Sequence, residues 1–223
     1  MQTDRVRWLV KGFESLLIWF RRARSPLTEV FTEIYRQKSW ASHESRSGLG
    51  STLERTVVIR RELPAVLEAL KVRTLLDAPC GDLNWITRVD LPVQRYVGVD
   101  IVEELIAANR ARYGSRARRF RVANVVCDRL PKCDAVLCRD CFIHLPTSDI
   151  RSAIENFKRS GATYLLATTH PGVTENVDIP AGAWRSVDLE KPPFALPPPI
   201  RRIVENADTS KSLGVWRLAD LLG

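Results

Sequence analysis

Two acidic residues end short apolar runs of the sequence and could hold a ligand that carries hydroxyl or cationic groups. Asp77 lies in the run Thr74–Ala78, and Asp100 ends the run Arg95–Asp100, 23 residues further along the chain. A carboxylate at the end of the second strand of a βαβ unit can accept hydrogen bonds from both hydroxyls of a ribose. Gly81, which follows the first acid, would let the backbone approach such a ligand closely.

Residues after the predicted fourth strand could move a proton. His144 has an unperturbed pKa of about 6.5, which suits a general base that activates a hydroxyl near neutral pH. Asp140 is close in sequence and could orient His144, act as the base itself or bind a divalent ion. A histidine that only packs or caps a helix is the alternative interpretation of His144.

Four other residues are candidates for contact with a substrate. His170 follows the predicted fifth strand, and His43 lies in a polar segment that is typical of a loop or lid. Trp184 and Arg185 offer an aromatic face beside a guanidinium, a common platform for a sugar or an anion. Alternatively, Trp184 closes its own loop onto the sheet and His170 is an ordinary loop residue.

Short apolar runs alternate with helical patterns from residue 73 onwards, and this alternation predicts the scaffold that positions these residues. It indicates an α/β fold with a doubly wound, Rossmann-like sheet that is mostly parallel, with an antiparallel strand at one edge. The predicted strands are Thr74–Ala78, Arg95–Asp100, Arg119–Ala123, Asp134–Cys138, Thr163–Thr168, Ile200–Glu205 and Leu213–Leu218. Ligands bind outside the carboxyl ends of the strands in such sheets.

Helical patterns precede and separate these strands. The predicted helices are Pro26–Trp40, Leu53–Leu70, Asp82–Val89, Val102–Tyr113 and Thr147–Ser160. Pro64 should divide the second of them, because proline lacks an N–H donor. The helix from Asp82 should direct its free N–H groups towards the loop after the first strand. We expect N-terminal helices and a lid loop in residues 1–50, and a ligand-binding domain in residues 51–223.

The N-terminal segment 6–24 has two interpretations. Apolar residues recur in it at helical spacing, but Lys11, Glu14 and its short length exclude a helix that spans a bilayer of ~30 Å. It could pack on the domain or on a second subunit. It could also lie at the inner membrane surface, with Trp8 and Trp19 at the level of the lipid headgroups.

The composition is typical of a single globular domain in a reducing compartment. The chain has 223 residues, of which 45% are hydrophobic and 27% are charged, enough for a sizeable core. Five cysteines, an odd number, and the lack of a secretory signal favour the cytoplasm. Cys138 and Cys141 form a CxxC, but the paired knuckles of a zinc site are missing, so no zinc site is predicted.

The formal net charge of +8 is unevenly distributed. Six arginines lie between Arg110 and Arg121, and six basic residues lie in residues 1–24. Such patches attract phosphate, anionic lipid or acidic glycan, although a solvated, arginine-rich helix is the simpler interpretation. The sequence contains no accessory RNA-binding motif, so nucleic acid is the less favoured partner.

The loop after the first predicted strand separates two classes of nucleotide site. A nicotinamide or flavin site requires G-x-G-x-x-G, whereas the loop reads DAPCGDLNW from Asp77. It resembles motif I of the class I S-adenosylmethionine (SAM)-dependent methyltransferases, with Pro79 in place of the first glycine of acid-x-G-x-G. YVGVD, which ends at Asp100, resembles motif II, and LPKCDAVLCRDCFIHLP, which ends at Pro146, resembles the motif IV region. The resemblance covers about residues 50–220.

This resemblance implies a methyltransferase that uses SAM as its cofactor. It implies that Asp100 holds the ribose and that Asn124 faces the adenine amine, with Asp128 as the alternative. The implied cofactor-binding residues are Asp77, Pro79, Cys80, Gly81, Asp82, Asp100, Ile101, Asn124 and Arg139.

A narrower resemblance concerns the acceptor of the methyl group. SWASHESRSGLGS, DAPCGD, CRDCFIHL and DIPAGAWRSVDLEKPPFALPPP together resemble a bacterial and algal-virus group of SAM methyltransferases associated with polysaccharide synthesis. The implied acceptor is a hydroxyl of a sugar or glycan intermediate. Arg139–His144 also lacks the Asn/Asp-Pro-Pro-aromatic signature of many amino-group methyltransferases. RNA methylation and a SAM-binding, membrane-associated adaptor without activity are the alternatives.

Overall fold

The computed structural model describes residues 26–221. Its strands form one seven-stranded sheet, as the predicted alternation of strands and helices indicated. The strands are β1 (Thr74–Asp77), β2 (Arg95–Asp100), β3 (Arg118–Val122), β4 (Ala135–Cys138), β5 (Tyr164–Thr169), β6 (Arg201–Asn206) and β7 (Lys211–Arg217). Their order is β3-β2-β1-β4-β5-β7-β6. Strands β1 to β5 are parallel, and β7 runs antiparallel between β5 and the edge strand β6. The predicted fold class is confirmed.

Four helices flank the sheet within residues 26–221: α1 (Leu27–Arg36), α2 (Val57–Ala69), α3 (Glu103–Tyr113) and α4 (Thr147–Arg159). Helix α3 has two glutamates in its first turn and two arginines in its last, so its charges complement the helix dipole. Helix α4 buries Ile150, Ala153, Ile154 and Phe157 on one face. This spacing of three and four residues is the helical repeat that the sequence showed.

The central strands carry side chains into a core on each face of the sheet. Leu75 and Leu137 are fully buried in the core that α2 and α3 cover. Leu76 and Val136, which pair with each other in register, are fully buried in the core on the opposite face, which α4 covers. Strands that are buried on both faces read as continuous apolar runs, which is why β1 and β4 lack polar alternation.

Two predictions about helices are wrong. Helix α2 continues through Pro64, and the burial of Leu63 and Leu67 in the core stabilises it there. No α-helix begins at Asp82; the segment contains only a 3₁₀ turn at Ile86–Arg88. Gly81 and Leu83 have φ angles of 55° and 62°, and this left-handed backbone is incompatible with a helix.

The chain before α2 covers the carboxyl ends of the central strands. Helix α1 and the loop at residues 37–51 supply several residues that line a cavity there. The segment 6–24, predicted to pack or to lie at a membrane, is outside the described residues. No helix within residues 26–221 has the length and apolar character needed to cross a membrane.

Candidate functional site

A cavity of about 750 Å³ lies where the parallel strands end. Asp77 and Asp100 both line it, and both are buried. Asp77 pairs in register with Gly98, so Asp100 lies two residues further along the neighbouring strand. The fold therefore brings the two predicted acids to one cavity.

Asp77 is a buried carboxyl whose charge is disfavoured. Its pKa is raised to about 7, chiefly by burial and further by the charge of Asp100, although a hydrogen bond at 2.5 Å from the Tyr96 hydroxyl lowers it. The charge of Arg139 also lowers the pKa. A cation bound in the cavity would favour the ionised form of Asp77.

The loop between the two acids is held by β2 and α3. The Gly81 N–H donates to Asp100 at 3.2 Å, and the Asn109 amide of α3 donates to the Gly81 carbonyl at 2.7 Å. Gly81 has a φ of +55°, and a Cβ there would lie 2.4 Å from the Ser47 hydroxyl. Cys80 donates its N–H to Val99 at 2.8 Å. Pro79, Cys80 and Gly81 all line the cavity.

The cavity continues past Asp100 into an apolar section. Ile101, Ala123 and Val125 line it together with Asn124. The Asn124 side-chain oxygen accepts a hydrogen bond from the Val126 N–H at 2.9 Å and has a second lone pair. The alternative residue, Asp128, is exposed and does not line the cavity.

Arg139 and Asp140, directly after β4, belong to a buried network of four charges. Arg139 donates Nη2 to Glu205 at 2.6 Å and lies 3.0 Å from Asp140, which pairs with Lys211 at 2.6 Å. A register shift in β6 between Val204 and Asn206 accompanies the inward position of Glu205. Arg139, Asp140 and Lys211 line the cavity, and the network has no net charge.

Asp140 is unsuited to act as the base. Burial would raise its pKa, but Arg139 and Lys211 outweigh that effect and hold the pKa well below its ordinary value. Such a carboxylate stays ionised and accepts protons poorly. Nor does Asp140 hydrogen-bond His144, although its charge favours the protonated form of that ring.

His144 lines the cavity, and a hydrogen bond to the backbone determines which of its ring nitrogens carries the proton. Its Nδ1 lies 2.8 Å from the Ala183 carbonyl oxygen, and a carbonyl only accepts, so Nδ1 carries a proton. The lone pair of the neutral ring is then on Nε2. Burial lowers the pKa of His144, and Trp40 stacks on the ring at 4.1 Å between centroids.

His170 lines the same cavity, but in its neutral ring the proton is on the other nitrogen, Nε2. Its Nδ1 accepts a hydrogen bond from the Val187 N–H at 3.4 Å, which leaves the proton of the neutral ring on Nε2. Burial lowers the pKa of His170 as well. His170 is therefore arranged to donate from Nε2, whereas His144 is arranged to accept there.

Two predicted site residues, Asp82 and His43, do not line the cavity. The Asp82 carboxylate accepts hydrogen bonds from the Ser45 hydroxyl at 3.0 Å, the Arg46 N–H at 2.7 Å and the Ser47 hydroxyl at 3.2 Å. Asp82 therefore fastens the loop at residues 37–51, which we call the lid loop. His43 lies in the lid loop with its side chain exposed.

Arg185 is also absent from the cavity wall, whereas Trp184 lies in it and is 64% exposed. The buried Arg185 side chain donates Nη1 to the Phe142 carbonyl at 2.8 Å, and its backbone N–H donates to Ile143 at 3.0 Å. Arg185 thus braces the turn that carries His144. The Nε and Nη2 atoms of Arg185 are buried and have no hydrogen-bond partner within the described residues.

The residues of the cavity wall that sequence reasoning missed include Trp40, Trp85 and Lys211. Trp85 lies under the Arg139 guanidinium at 5.3 Å, and its position in the loop after β1 was a usable signal. Lys211 is more than 70 residues from its partner Asp140, so no local pattern identifies it. Within residues 26–221, no group of three or more His, Cys, Asp and Glu side chains is placed to hold a metal.

Comparison with known proteins identifies the fold. No protein-family model matches the chain, and no curated protein matches it. Two crystal structures of the methyltransferase domain of bacterial CtHen1 are similar to it. CtHen1-CN has a TM-score of 0.55 and 15% identity over 74% of this chain and 100% of that chain. CtHen1-C has a TM-score of 0.56 and 16% identity over 74% and 98%. The chain therefore has the fold of a class I methyltransferase domain.

Proposed function

We propose that the protein is a SAM-dependent methyltransferase that acts on a hydroxyl of a sugar or glycan. The observation that carries this proposal is one cavity that joins two strand-end carboxylates, Asp77 and Asp100, to a histidine whose Nε2 lone pair is available. We also propose that residues 1–50 comprise N-terminal helices and a lid loop, and that residues 51–223 form the SAM-binding methyltransferase domain.

The donor set of the cavity fits SAM. Bound SAM supplies an electrophilic methyl group on a positively charged sulfur. Asp77 would face the cationic methionine end, Asp100 the ribose hydroxyls, and Ile101 and Asn124 the adenine.

His144 is the proposed general base. The acceptor hydroxyl gives its proton to Nε2, while the Ala183 carbonyl holds the opposite edge of the ring. Asp140, ionised throughout, then stabilises the imidazolium through its charge. We assign Asp140 this electrostatic role and assign His170 the role of hydrogen-bond donor to the acceptor.

A neutral, hydroxyl-rich acceptor suits this end of the cavity. The four charges around Arg139 cancel, and burial favours the neutral forms of His144 and His170. Trp184 presents an exposed aromatic face at the cavity wall, a surface on which a sugar ring can stack. An RNA acceptor is the second candidate, because a separate groove lies along β2 and β3 and its basic residues form no ion pair within residues 26–221.

A labelled-methyl assay with nucleotide sugars, lipid-linked glycans and RNA as acceptors tests this function. Calorimetry of SAM binding accompanies it. We expect Asp100→Ala to weaken SAM binding by about 100-fold, because two hydrogen bonds to a buried carboxylate are lost. The exposed Asp90→Asn serves as a control and should bind as the wild type does. SAM binding without transfer to any acceptor would instead support the inactive adaptor.

A further inference from the structure

A second cavity, of about 820 Å³, lies along β2 and β3 and shares no lining residue with the first. Five basic residues line it, and no acidic residue does; they are Arg95, Arg116, Arg119, Arg121 and Lys132. We call this cavity the basic groove.

The basic groove follows from strand geometry and from a missing helix. Arg119 pairs with Val97, and Arg121 pairs with Val99, so both arginines share one face of the sheet with the valines. The connection from β3 to β4 contains no helix, and β3 is the edge strand. On this face Arg119 and Arg121 of the edge strand β3 are therefore left exposed, whereas Val97 and Val99 of β2 are buried in the core.

The five cations of the basic groove are exposed, and none forms an ion pair within residues 26–221. Arg118, on the opposite face of β3, differs because its guanidinium lies over the Tyr96 ring at 5.4 Å. A cluster of like charges around a concave surface raises the local concentration of anions. The basic groove thus has the charge and shape of an anion-binding surface.

We propose that the basic groove binds the phosphate backbone of single-stranded nucleic acid. Four of its five cations are arginines, whose planar forks match phosphate oxygens. Arg119 and Arg121 are two residues apart on a strand, so their side chains repeat at about 6.6 Å and can follow successive charges of an extended chain. A concave groove does not match a flat bilayer. This inference goes beyond methyl transfer and does not depend on it.

Binding should be independent of nucleotide sequence. The aromatic ring among the lining residues, Phe120, is buried on the core side and is 7% exposed, so it offers no stacking platform. Binding that uses phosphates alone releases counterions and weakens steeply as salt is added.

Fluorescence anisotropy with a labelled single-stranded RNA of about 20 nucleotides tests the proposal on the full chain, at about 50 to 200 mM salt. The test variant is Arg119→Gln/Arg121→Gln. The matched control is Arg201→Gln/Arg217→Gln, which removes two exposed arginines from β6 and β7 at the other end of the sheet. We expect the test variant to bind about tenfold more weakly, with a salt slope lower by about 1.4, and the control to match the wild type.

Several results would overturn the proposal. The groove has no role in RNA binding if the wild type does not bind RNA. The same conclusion follows if the test variant binds RNA as tightly as the wild type, or if the control variant loses as much affinity as the test variant. Stronger competition by a sulfated polysaccharide or by anionic vesicles than by unlabelled RNA assigns the groove to another polyanion. Circular dichroism and urea denaturation check that the test variant is folded. Failure of the methyl-transfer assay leaves this result unaffected.

Discussion

Asp77 and Asp100 end neighbouring parallel strands, and their buried carboxylates line one cavity. Each is disfavoured as an ion by burial, which raises both pKa values. The protein itself therefore stabilises the ionised forms of these two acids poorly. Such a pair is well suited to bind a ligand that carries positive charge and hydroxyl groups. The first two predictions below depend on this relationship.

SAM should bind more tightly as the pH rises towards neutrality. The pKa of Asp77 is about 7 in the free protein, and its ionised form attracts the cation, so protonation competes with binding. We expect the Kd to be roughly eightfold higher at pH 6 than at pH 7.5. Calorimetry across this range measures the effect. Asp77→Asn should abolish the dependence, and an unchanged pH profile in that variant would exclude Asp77 as its source.

Removal of the Asp77 charge should stabilise the ligand-free protein at alkaline pH. A raised native pKa stabilises the fold below the unfolded value of 3.8, and this contribution is lost as the pH rises through about 7. Asp77→Asn should therefore gain up to about 4 kcal/mol relative to the wild type at pH 8. Urea denaturation at pH 4 and pH 8 measures the difference. Equal effects of the substitution at both values would contradict the raised pKa.

The two cavity histidines should respond differently to substitution. His144→Ala should leave SAM binding intact and slow methyl transfer by about 10²- to 10⁴-fold, because it removes the proposed general base, whose Nε2 carries the lone pair. His170→Ala is the matched variant and should mainly raise the KM for the acceptor, since its Nε2 donates. The rate should also fall in acid, where His144 becomes protonated, at a pH below 6.5 because its pKa is lowered. Normal turnover by His144→Ala would rule out its role as base.

Loss of the Asp82 carboxylate should loosen the lid loop. Asp82 accepts hydrogen bonds from Ser45, Arg46 and Ser47, and hydrogen bonds to a charged group contribute about 1.5 to 3 kcal/mol each. We expect Asp82→Ala to speed proteolytic cleavage within residues 41–51 at least tenfold and to accelerate SAM dissociation. Limited proteolysis and stopped-flow displacement measure the two effects. Asp90→Asn, which changes an exposed acid, is the control. Equal rates of cleavage in the two variants would contradict the role of Asp82 in holding the lid loop.

Local patterns were sufficient where one element determines the outcome. The apolar runs of β1 and β4 are continuous because both faces of these strands are buried. A continuous run of this kind is visible in the sequence. The apolar runs of β1 and β2 likewise place Asp77 and Asp100 at strand ends. The helix expected from Asp82 failed because two left-handed residues and contacts with the distant lid loop override local helical propensity.

The sequence by itself determined the parallel sheet, the two acids at its carboxyl edge and the histidine after its fourth strand. Only the tertiary structure decided what these groups can do. The partner of His144 is 39 residues away at Ala183, and Lys211, which together with the adjacent Arg139 holds Asp140 ionised, is 71 residues away. Protonation and charge depend on burial and on neighbours in space, and chain folding brings those neighbours together from segments that carry no local sign of the contact.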